Sequence, residues 1–444
     1  MTRQLLILAG GMGTRLLPLL GDLPKPMVQV GGKPVLEHQI ELAKRYGFED
    51  VLLLVGYRAD KIQAYFNDGK RWGIGLRYHV ESEPLGTAGA VFGAFDKLAN
   101  CFVVMYGDTM LDVDLDRFWR FHQNKGSSAT LAIHPNDHPH DSDLVEVGES
   151  DRIKAFHSPP HDPEKYHQNL VSAALYVMEK SSFAVWSGGL KKFDFVRELF
   201  PGMLHQGLPL FGYRTREYVK DMGTPERLAQ VESDCQSGKI RSLSLTRLCP
   251  AAFLDRDGTL NLEVNRVKHP DQLRLLPGVG EAVRRLNTAG VLAVVITNQP
   301  VVARGDVSED QLRVIHNKLE ALLGEHGAYL DGIYWCPHHP HAGFPGERSE
   351  LKIACECRKP GTALVSRAAA ELGIDLSRSC LIGDSTTDIR TARNAGLRSI
   401  IVRTGHAGQD GLYPDRPDHE CSNLTEAVAH LLRKQAFCLS DDYQ

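Results

Sequence analysis

Residues 251–260, Ala-Ala-Phe-Leu-Asp-Arg-Asp-Gly-Thr-Leu, decide how the second half of this chain folds. An apolar run ends in two carboxylates one residue apart, Asp255 and Asp257, and a Gly-Thr turn follows. Parallel α/β sheets carry their chemistry at the carboxyl ends of the strands. We therefore predict that both aspartates lie just past a buried strand, in a position to take part in a reaction.

The first half of the chain carries a separate signal at residues 8–16, Leu-Ala-Gly-Gly-Met-Gly-Thr-Arg-Leu. A strand that runs into a glycine-rich loop lets backbone N–H groups approach a polyphosphate, and arginine supplies a planar fork of donors. Such a loop alone is weak evidence, because a plain strand-to-helix turn can have the same sequence. The residues that we predict to contact a nucleotide here are Ala9, Gly10, Gly11, Gly13, Thr14 and Arg15.

Length and composition narrow the class of protein. The chain has 444 residues, of which 42% are hydrophobic and 24% charged, which suits two or three globular domains. No apolar run approaches the roughly 20 residues that cross a bilayer, and a core strand beginning at Leu5 leaves no room for a signal peptide. We therefore expect no membrane association.

Charge and cysteine content indicate the partners and the compartment. A net charge of -4 without a basic block argues against nucleic acid as a partner and favours small phosphorylated molecules. The nine cysteines are an odd number, and three of them lie near a histidine, which favours metal binding in a reducing compartment over disulfides. We expect a cytoplasmic protein, and the sequence leaves its oligomeric state open.

Both halves alternate short leucine-rich or β-branched runs with amphipathic segments, which predicts two doubly wound, mostly parallel α/β sheets. The pattern fades near Cys235 and resumes at a new strand. We place the domains at 1–235 and 251–434, with a linker at 236–250 and a tail at 435–444. The predicted strands are Leu5–Ala9, Val51–Val55, Cys101–Met105, Thr130–His134, Ala251–Leu254, Val291–Thr297, Gly332–Trp335, Cys380–Gly383 and Ser399–Val402, and the predicted helices include Val35–Tyr46, Asp60–Asn67, Gln311–Leu323 and Thr362–Leu372.

Three further residues of the first half suit a nucleotide site. Lys25 stands between two prolines, which stiffen the chain around its ammonium group. Asp108 follows the strand predicted at Cys101–Met105, and Asp221 precedes a Met-Gly-Thr-Pro turn. Carboxylates are hard oxygen ligands of the kind that Mg²⁺ prefers. We predict that both aspartates hold magnesium.

Together these pieces resemble the sugar-1-phosphate nucleotidyltransferase family, in the motifs GGMGTRL at 10–16, LPKPM at 23–27, LGTAGA at 85–90, YGD at 106–108 and KDMGTPE at 220–226. The resemblance implies a Rossmann-like domain in which a sugar-1-phosphate oxygen attacks the α-phosphorus of a nucleoside triphosphate and pyrophosphate leaves. Arg15 and Lys25 would stabilise the phosphate charges, Gly86 and Thr87 would approach the base, and Asp108 and Asp221 would hold the magnesium.

Two motifs that usually touch the sugar phosphate in this family are altered. Phe156-His157-Ser158-Pro159 stands where Glu-Lys-Pro is common, and Ser172-Ala173-Ala174 stands where Asn-any-Gly is common. The sequence therefore leaves the sugar open. It also leaves an alternative, in which the first half is an inactive or regulatory module.

The second half places reactive groups after several successive strands. Asp255 can attack a phosphoryl group, and Asp257 can protonate the leaving oxygen. Thr297 ends the next strand, Lys359 follows a cysteine-rich loop, and Asp384 follows a further strand. This order resembles the haloacid dehalogenase phosphatases. The resemblance implies a phosphoaspartyl intermediate on Asp255, Mg²⁺ held by Asp255, Asp257 and Asp384, and phosphoryl oxygens stabilised by Thr297 and Lys359.

The chain segment that precedes Lys359 contains three cysteines and a histidine that have the composition of a zinc site. Three thiolates and one imidazole, from Cys336, His338, Cys355 and Cys357, fill a tetrahedral Zn²⁺ shell and leave no open position for water. We predict a structural zinc that fixes this loop. His339 and His341 are rival ligands, and the single-residue spacer in Cys-Pro-His favours His338.

A phosphatase with such a loop resembles the D-glycero-D-manno-heptose 1,7-bisphosphate phosphatases and their histidinol-phosphate phosphatase relatives. If the substrate is the heptose bisphosphate, the phosphatase product is a sugar 1-phosphate, which is the substrate of the first domain. The Gly-Thr-Arg-Leu loop resembles that of guanylyltransferases, which favours GTP as the nucleotide. Histidinol-phosphate hydrolysis is the alternative. The resemblance implies that the substrate contacts Glu263, Val264, Asn265, Arg266, Asn298, Gln299 and Arg358.

Overall fold

The structure, a computed structural model, describes residues 3–185 and 191–438 of the chain. It divides into two compact units. The first consists of residues 1–134, 143–158 and 170–246, and the second of residues 135–142, 159–169 and 247–444. Of the predicted tail at 435–444, residues 439–444 lie outside the described residues.

The first unit is built on a nine-stranded sheet in the order β10-β9-β11-β6-β1-β4-β5, with β8 on β11 and β12 on β8. Two small ladders, β2 with β3 and β7 with β13, complete it. The strands are β1 Gln4–Ala9, β2 Gln29–Val30, β3 Lys33–Pro34, β4 Asp50–Val55, β5 Gly75–Val80, β6 Cys101–Tyr106, β7 Thr109–Asp112, β8 Ala129–His134, β9 Leu144–Val147, β10 Ile153–His157, β11 Val171–Glu179, β12 Leu210–Arg214 and β13 Tyr218–Asp221.

Helices cover both faces of this sheet. The α-helices are α1 Leu17–Leu20, α2 Val35–Arg45, α3 Ala59–Phe66, α4 Gly86–Gly93, α5 Leu115–Lys125, α6 Phe200–His205, α7 Pro225–Gln236 and α8 Lys239–Ser242. Shorter 3-10 turns occupy Thr14–Leu16, Lys25–Met27, Lys70–Trp72, Phe95–Lys97, Pro139–Asp141, Glu149–Asp151 and Lys180–Val185, and a π-helical turn occupies Phe195–Leu199.

The apolar run of β1 explains why the sheet is buried on both sides. Leu5 and Ile7 belong to one hydrophobic cluster with α2, α3 and α5, whereas Leu6 belongs to a second cluster with α4 and α6. Side chains alternate between the faces of a strand, so a continuous apolar run requires cover on both. The doubly wound α/β architecture follows from this pattern.

The strands β1, β4, β5 and β6 are mutually parallel, but β11 pairs antiparallel with β6, β8 and β9. The expectation of a mostly parallel sheet therefore holds for one part of it. Parallel neighbours need a crossover, usually a helix, whereas antiparallel neighbours do not. No α-helix lies between β8 and β11, and the chain returns to the sheet antiparallel.

The second unit has a parallel six-stranded sheet in the order β16-β15-β14-β17-β18-β19. One face packs Leu254 and Val295 against Val283, Ile315 and Val428 from the helices. Its elements are β14 Ala251–Leu254, α9 Val279–Thr288, β15 Leu292–Asn298, α10 Glu309–Gly324, β16 Gly332–Cys336, α11 Ala363–Leu372, β17 Cys380–Gly383, α12 Thr386–Asn394, β18 Arg398–Val402, β19 His419–Cys421 and α13 Leu424–Cys438, with 3-10 turns at Pro270–Gln272, Ser349–Leu351 and Leu376–Arg378.

The stretch predicted as a linker, 236–250, contains structured residues. It includes α8, in which Ile240 is buried. The Arg216 guanidinium donates to the carbonyl oxygens of Leu243 and Ser244 at 2.6 and 3.2 Å. Among the described residues, no helix combines the length and the apolar composition that a bilayer span requires.

Candidate active sites

The glycine-rich loop follows β1 and is closely packed at two of its glycines. A Cβ on Gly10 would collide with the carboxylate of Glu81. Gly13 has φ +62, and a Cβ there would lie 3.0 Å from the Cβ of Lys25. The left-handed backbone at Gly13 therefore favours glycine, whereas a Cβ on Gly10 would meet only the end of the flexible Glu81 side chain, which can move. The loop thus packs against Lys25 at Gly13, and nucleotide binding by these residues stays a prediction.

Asp108 and Asp221 come together through the β7–β13 ladder. Thr109 is the direct partner of Asp221, and the amide of Met222 donates to the carbonyl oxygen of Asp108 at 3.2 Å. The Lys25 ammonium forms an ion pair with the Asp108 carboxylate. Arg15 reaches the same region, because a Cβ on Gly223 would lie 3.3 Å from its guanidinium. Four predicted site residues are thus neighbours.

Arg227 is a member of this group that the sequence analysis missed. Its guanidinium donates to both carboxylate oxygens of Asp221, at 2.9 and 2.7 Å. Burial opposes ionisation of Asp221, but hydrogen bonding and charge from Arg227 outweigh it and lower the pKa of the carboxyl group. The sequence contains a signal for this contact, because Thr224 caps a helix that begins shortly after Asp221 and carries Arg227 in its first turn.

Gln39 fixes the turn that carries Asp108. Its side chain is fully buried in α2, and its Nε2 donates to the carbonyl oxygens of Tyr106 and Thr109, at 2.8 and 2.7 Å. Two buried carbonyls on either side of Asp108 are therefore satisfied by one side chain. A single polar residue on an otherwise apolar helix face was the signal for this role.

Gly86 and Thr87 begin α4, and both pack against the segment that follows residue 190. Gly86 has φ +75, and a Cβ there would lie 2.6 Å from the carbonyl oxygen of Phe193. The Thr87 hydroxyl donates to Asp194 at 2.6 Å and accepts from the amide of Phe195 at 3.1 Å. The structure thus engages this hydroxyl in joining two segments of the protein, and the contact of Gly86 and Thr87 with a base stays a prediction.

The two altered sugar-side motifs have defined local structure. Ala174 adopts φ +53 at a register shift in the β11–β8 pairing. This is the left-handed conformation that favours glycine, so the backbone here has the shape that a glycine would adopt. His157 pairs through Nε2 with Glu146 at 3.1 Å.

In the second unit, the reactive groups surround the carboxyl end of β14. The Lys359 ammonium lies 2.8 Å from Asp255 and 2.6 Å from Asp388. Asp384 lies between Gly258 and Gly405, since a Cβ on either glycine would collide with its carboxylate. Oxygen atoms of Asp255, Asp384 and Asp388 all lie within 4.8 Å of one another. The predicted nucleophile, cation and metal ligand are therefore assembled at one point.

Three carboxylates share one ammonium group here, and the pKa values of Asp255 and Asp384 record the imbalance. Burial raises the pKa of Asp255 despite Lys359, and burial together with Asp255 raises that of Asp384. Burial alone would lower the pKa of Lys359, but Asp255 and Asp388 raise it. A hard divalent cation would compensate this excess negative charge, so the donor set fits Mg²⁺.

Asp257 is held differently from its neighbour Asp255. The Arg256 guanidinium, which is fully buried, donates to both oxygens of Asp257 at 2.7 and 2.9 Å. Asn261 and Gln299 each donate a further bond at 2.9 Å. Burial opposes ionisation of Asp257, but these partners outweigh it and lower the pKa of the carboxyl group. To donate a proton, Asp257 must loosen these bonds.

His316 on α10 contacts Asp257 indirectly, through Arg256. Arg256 donates to its Nε2 at 3.2 Å, so the imidazole acts as an acceptor. Burial, together with the Arg256 charge, lowers the pKa of His316 to about 3. Neither Arg256 nor His316 was predicted from the sequence, although a cation between two aspartates at a strand end was visible.

Thr297, Gln299 and Asn298 occupy the end of β15. Gln299 donates to the Thr297 hydroxyl at 2.9 Å, and Thr297 is 1% exposed. The Asn298 side chain donates to the carbonyl oxygen of Lys359 at 3.1 Å and accepts from its amide at 2.9 Å. These two hydrogen bonds between the Asn298 side chain and the Lys359 backbone fix the position of Lys359.

The predicted substrate loop after β14 is more open. Glu263 accepts from the amide of Asn265, which has φ +67. Val264 is 44% exposed. Arg266 donates to Asp306 at 3.1 Å, so this loop is tied to the residues that follow β15.

Cys336, His338, Cys355 and Cys357 converge as the spacing predicts. The sulfur of Cys336 lies 3.6 Å from that of Cys355 and 3.2 Å from that of Cys357, and Nδ1 of His338 lies 3.3 Å from Cys357. A tetrahedral site with Zn–S near 2.3 Å has ligand separations of about 3.6–3.8 Å. The rival His339 instead accepts from Arg304 at 3.3 Å. The cluster can bind a metal ion.

The last residue of this cluster leads directly into the group of reactive side chains at the end of β14. Arg358 follows Cys357, and its guanidinium donates to the carbonyl oxygen of His338 at 3.2 Å. Burial lowers the pKa of Arg358. Lys359 comes next in the chain. The cluster therefore fixes this segment at Cys357, and Asn298 fixes it at Lys359.

Comparisons with known proteins find relatives of both halves of the chain. A family model described as Nucleotidyl transferase matches residues 4–238, and one described as HAD-hydrolase-like matches residues 356–427. A D-glycero-D-manno-heptose-1,7-bisphosphate 7-phosphatase of Thermosynechococcus vestitus is 41% identical over 186 residues, which are 40% of this chain and 93% of that protein. A mannose-1-phosphate guanylyltransferase of Mycobacterium tuberculosis is 32% identical over 234 residues, which are 52% of this chain and 64% of that protein.

Among solved structures, the D,D-heptose 1,7-bisphosphate phosphatase of B. bronchiseptica complexed with magnesium and phosphate is 33% identical, covers 42% of this chain and 99% of its own, and has a TM-score of 0.37. The family models and the sequence relatives define a bifunctional enzyme, a nucleotidyltransferase followed by a phosphatase. The chain belongs to the nucleotidyl transferase family in its first half and to the D-glycero-D-manno-heptose-1,7-bisphosphate 7-phosphatase family in its second.

Proposed function

We propose that the second half removes the C7 phosphate of D-glycero-D-manno-heptose 1,7-bisphosphate and that the first half transfers GMP from GTP to the resulting sugar 1-phosphate. The observation that carries this proposal is the joining of a heptose bisphosphate phosphatase relative and a guanylyltransferase relative in one chain. Hydrolysis at C7 leaves an anomeric phosphate, which is the nucleophile that the transferase needs. The two activities are therefore consecutive steps.

In the phosphatase half, Asp255 attacks the phosphorus, a bond from its oxygen to phosphorus forms, and the bond to the C7 oxygen breaks. Asp257 gives that oxygen its proton and then takes a proton from the water that hydrolyses the phosphoaspartate. Lys359, held at 2.8 Å from Asp255, and Thr297 stabilise the transferring oxygens. Asp255, Asp384 and the Asp257 carbonyl would hold Mg²⁺, which neutralises phosphoryl charge when bound.

Substrate selection at this site falls to Glu263, Val264, Asn265, Arg266 and Arg358 on the surrounding loops. Asn298 and Gln299, also predicted to contact substrate, are already engaged with Lys359 and Asp257. We assign these two a positioning role beside any contact they make. The cysteine cluster would hold a structural Zn²⁺, because its thiolate and imidazole ligands fill a tetrahedral shell.

In the transferase half, the sugar 1-phosphate oxygen attacks the α-phosphorus and the bond to the β-phosphate breaks. Arg15 and Lys25 stabilise the phosphate charge, while the backbone of Gly10, Gly11 and Gly13 receives the triphosphate. Asp108 and Asp221 would hold Mg²⁺. Lys25 and Arg227 pair with these carboxylates, and the phosphates of a bound nucleotide would compete for both cations.

The domain limits that we propose are 1–235, a linker at 236–250, 251–434 and a tail at 435–444, in a cytoplasmic protein whose partners are these small molecules. The test is incubation of the purified chain with heptose 1,7-bisphosphate of either anomer, GTP and Mg²⁺. We expect release of inorganic phosphate and formation of a GDP-heptose, identified by mass spectrometry. Absence of both products would overturn the proposal.

Two variants and one rival substrate sharpen this test. Asp255→Asn should abolish phosphate release, whereas Arg15→Ala should retain it and lose the GDP-sugar. Histidinol phosphate is the rival substrate for the second half. Faster hydrolysis of histidinol phosphate, together with GTP binding without turnover, would favour a phosphatase fused to a regulatory module.

A further inference from the structure

The sheet of the first unit carries another group of metal-ligand side chains, away from the nucleotide loops. Cys101 begins β6, Glu179 ends β11, and the two are direct partners in the antiparallel ladder. His122, in the last turn of α5, reaches Glu179 from the adjoining helix. One ligand atom of each residue lies within 4.8 Å of the other two. Asp108 lies beyond the opposite end of β6, on the order of 20 Å away.

The separation between His122 and Glu179 matches a tetrahedral metal site. Nε2 of His122 lies 3.3 Å from Oε1 of Glu179, and two such ligands on Zn²⁺ are about 3.4 Å apart when each bond is near 2.1 Å. The other ring nitrogen, Nδ1, lies 2.9 Å from the Thr130 hydroxyl. Metal-binding histidines usually donate their second N–H to an acceptor in the protein. Thr130 can serve as that acceptor.

Burial favours one class of ion here. Burial lowers the pKa of His122 and so keeps its imidazole neutral, the form that binds metals. Burial also raises the pKa of the Cys101 thiol, so an ion must have high affinity for thiolate to displace its proton. The Glu179 side chain is 39% exposed whereas that of His122 is 2% exposed. An ion can therefore enter from the Glu179 side, where water can complete the shell.

We propose that Cys101, His122 and Glu179 form a binding site for a divalent ion of the zinc class, distinct from both catalytic centres and from the Cys336 cluster. A thiolate, an imidazole and a carboxylate suit Zn²⁺ and disfavour Mg²⁺ and Ca²⁺, which prefer oxygen ligands alone. The bound ion links α5 to the β6–β11 ladder. This proposal does not depend on the identity of either substrate.

The experiment measures zinc per chain in the full-length protein, by mass spectrometry of metals after loading with Zn²⁺ and dialysis. Cys101→Ser and Glu179→Gln should each contain one equivalent less than the unsubstituted chain. The control variants are Cys235→Ser, a cysteine of the same unit outside both clusters, and Glu146→Gln, which removes a carboxylate paired with a histidine at 3.1 Å without a thiol. Both controls should keep the full zinc content.

Cobalt substitution adds a readout that a merely structural hydrogen bond would not change. In the Co²⁺-loaded chain, Cys101→Ser should lose part of the thiolate-to-cobalt absorption, while Cys235→Ser should not. Circular dichroism and retained transferase activity would show that the first unit of each variant is folded. Unchanged zinc content in both folded Cys101→Ser and folded Glu179→Gln would overturn the proposal.

Discussion

At the scale of single residues, Asp257 stands out because the proposed proton donor is the most firmly hydrogen-bonded carboxylate of its site. Arg256, Asn261 and Gln299 all donate to it. We predict that Asp257→Asn lowers kcat for a sugar phosphate by about 10²–10⁴-fold. Hydrolysis of p-nitrophenyl phosphate, whose leaving group needs no proton, should fall much less.

The ratio of the two kcat values is the measurement, taken for Asp257→Asn and for the unsubstituted chain side by side. A merely structural role for Asp257 would lower both rates equally. Equal losses on the two substrates would therefore contradict its assignment as the acid.

His316 gives a prediction on pH. The pKa of His316 is about 3 in the folded protein and its ordinary value is 6.5. The unfolded chain therefore binds more protons between these values, and stability falls as pH drops from 6.5 toward 3. The shift corresponds to about 4–5 kcal/mol at its limit.

Glutamine can replace the imidazole as acceptor for Arg256 without titrating. We predict that His316→Gln loses less stability than the unsubstituted chain between pH 7 and pH 4.5, measured by urea denaturation of the phosphatase unit at each pH. Identical pH dependence of the two proteins would show that His316 titrates normally.

At the scale of elements, the strands were predictable because each is a short apolar run buried on both faces. The structure extends the predicted Leu5–Ala9 by one residue and reproduces Ala251–Leu254. The antiparallel entry of β11 was not predictable, because the sequence shows strands but not their directions. The reactive side chains at strand ends were also predictable, since they follow the runs directly.

Two of the residues that the sequence analysis missed, Gln39 and Arg256, make contacts across long separations in the chain, whereas Arg227 bonds to Asp221 only six positions away. Gln39 bonds to residues 67 and 70 positions away, and Arg256 to His316, 60 positions away. Local pattern carries no information on such pairs, because they depend on how helices settle on the sheet. The hydrogen bond from Gln299 to Asp257 is another contact of this kind, because Gln299 follows the neighbouring strand.

Helix α2 yields a prediction about the transferase half. Gln39→Leu would leave the carbonyl oxygens of Tyr106 and Thr109 buried without their donor, which costs about 1–3 kcal/mol for each group. We expect the turn carrying Asp108 to shift and transferase kcat to fall at least tenfold. Phosphatase activity serves as the internal control and should remain unchanged. Retained transferase activity in a destabilised Gln39→Leu protein would limit Gln39 to a structural role.

The loop from Cys336 to Cys357 yields a prediction about the phosphatase half. Cys355→Ser should release the bound metal and lower phosphatase activity, because Arg358 and Lys359 follow the cluster directly. Cys421→Ala, a buried cysteine of the same unit outside the cluster, should retain both metal and activity. Metal content and kcat are measured on the same samples. Loss of metal with full activity would show that Asn298 alone suffices to position Lys359.

At the scale of the whole molecule, each unit has its own hydrophobic core and its own reactive groups. The clusters around β1 contain residues of the first unit, and the cluster around β14 contains residues of the second. Groups that share no partners contribute independently to stability and activity. Each half should therefore remain active when the other half is inactivated. The sugar 1-phosphate should pass from one half to the other through solution.

A mixture of two single-site variants tests this independence. Asp255→Asn keeps the transferase residues and Arg15→Ala keeps the phosphatase residues, so equal amounts of both should form GDP-heptose from the bisphosphate. Because the intermediate is free, we expect the mixture to reach the steady rate of the unsubstituted chain at equal concentration of each active site, after the same lag. A mixture that released phosphate at the full rate but formed the GDP-sugar at least tenfold more slowly would mean that the intermediate passes directly between the halves of one chain. Adding excess sugar 1-phosphate distinguishes that result from a damaged transferase, since it would restore the rate only if the transferase of Asp255→Asn is intact.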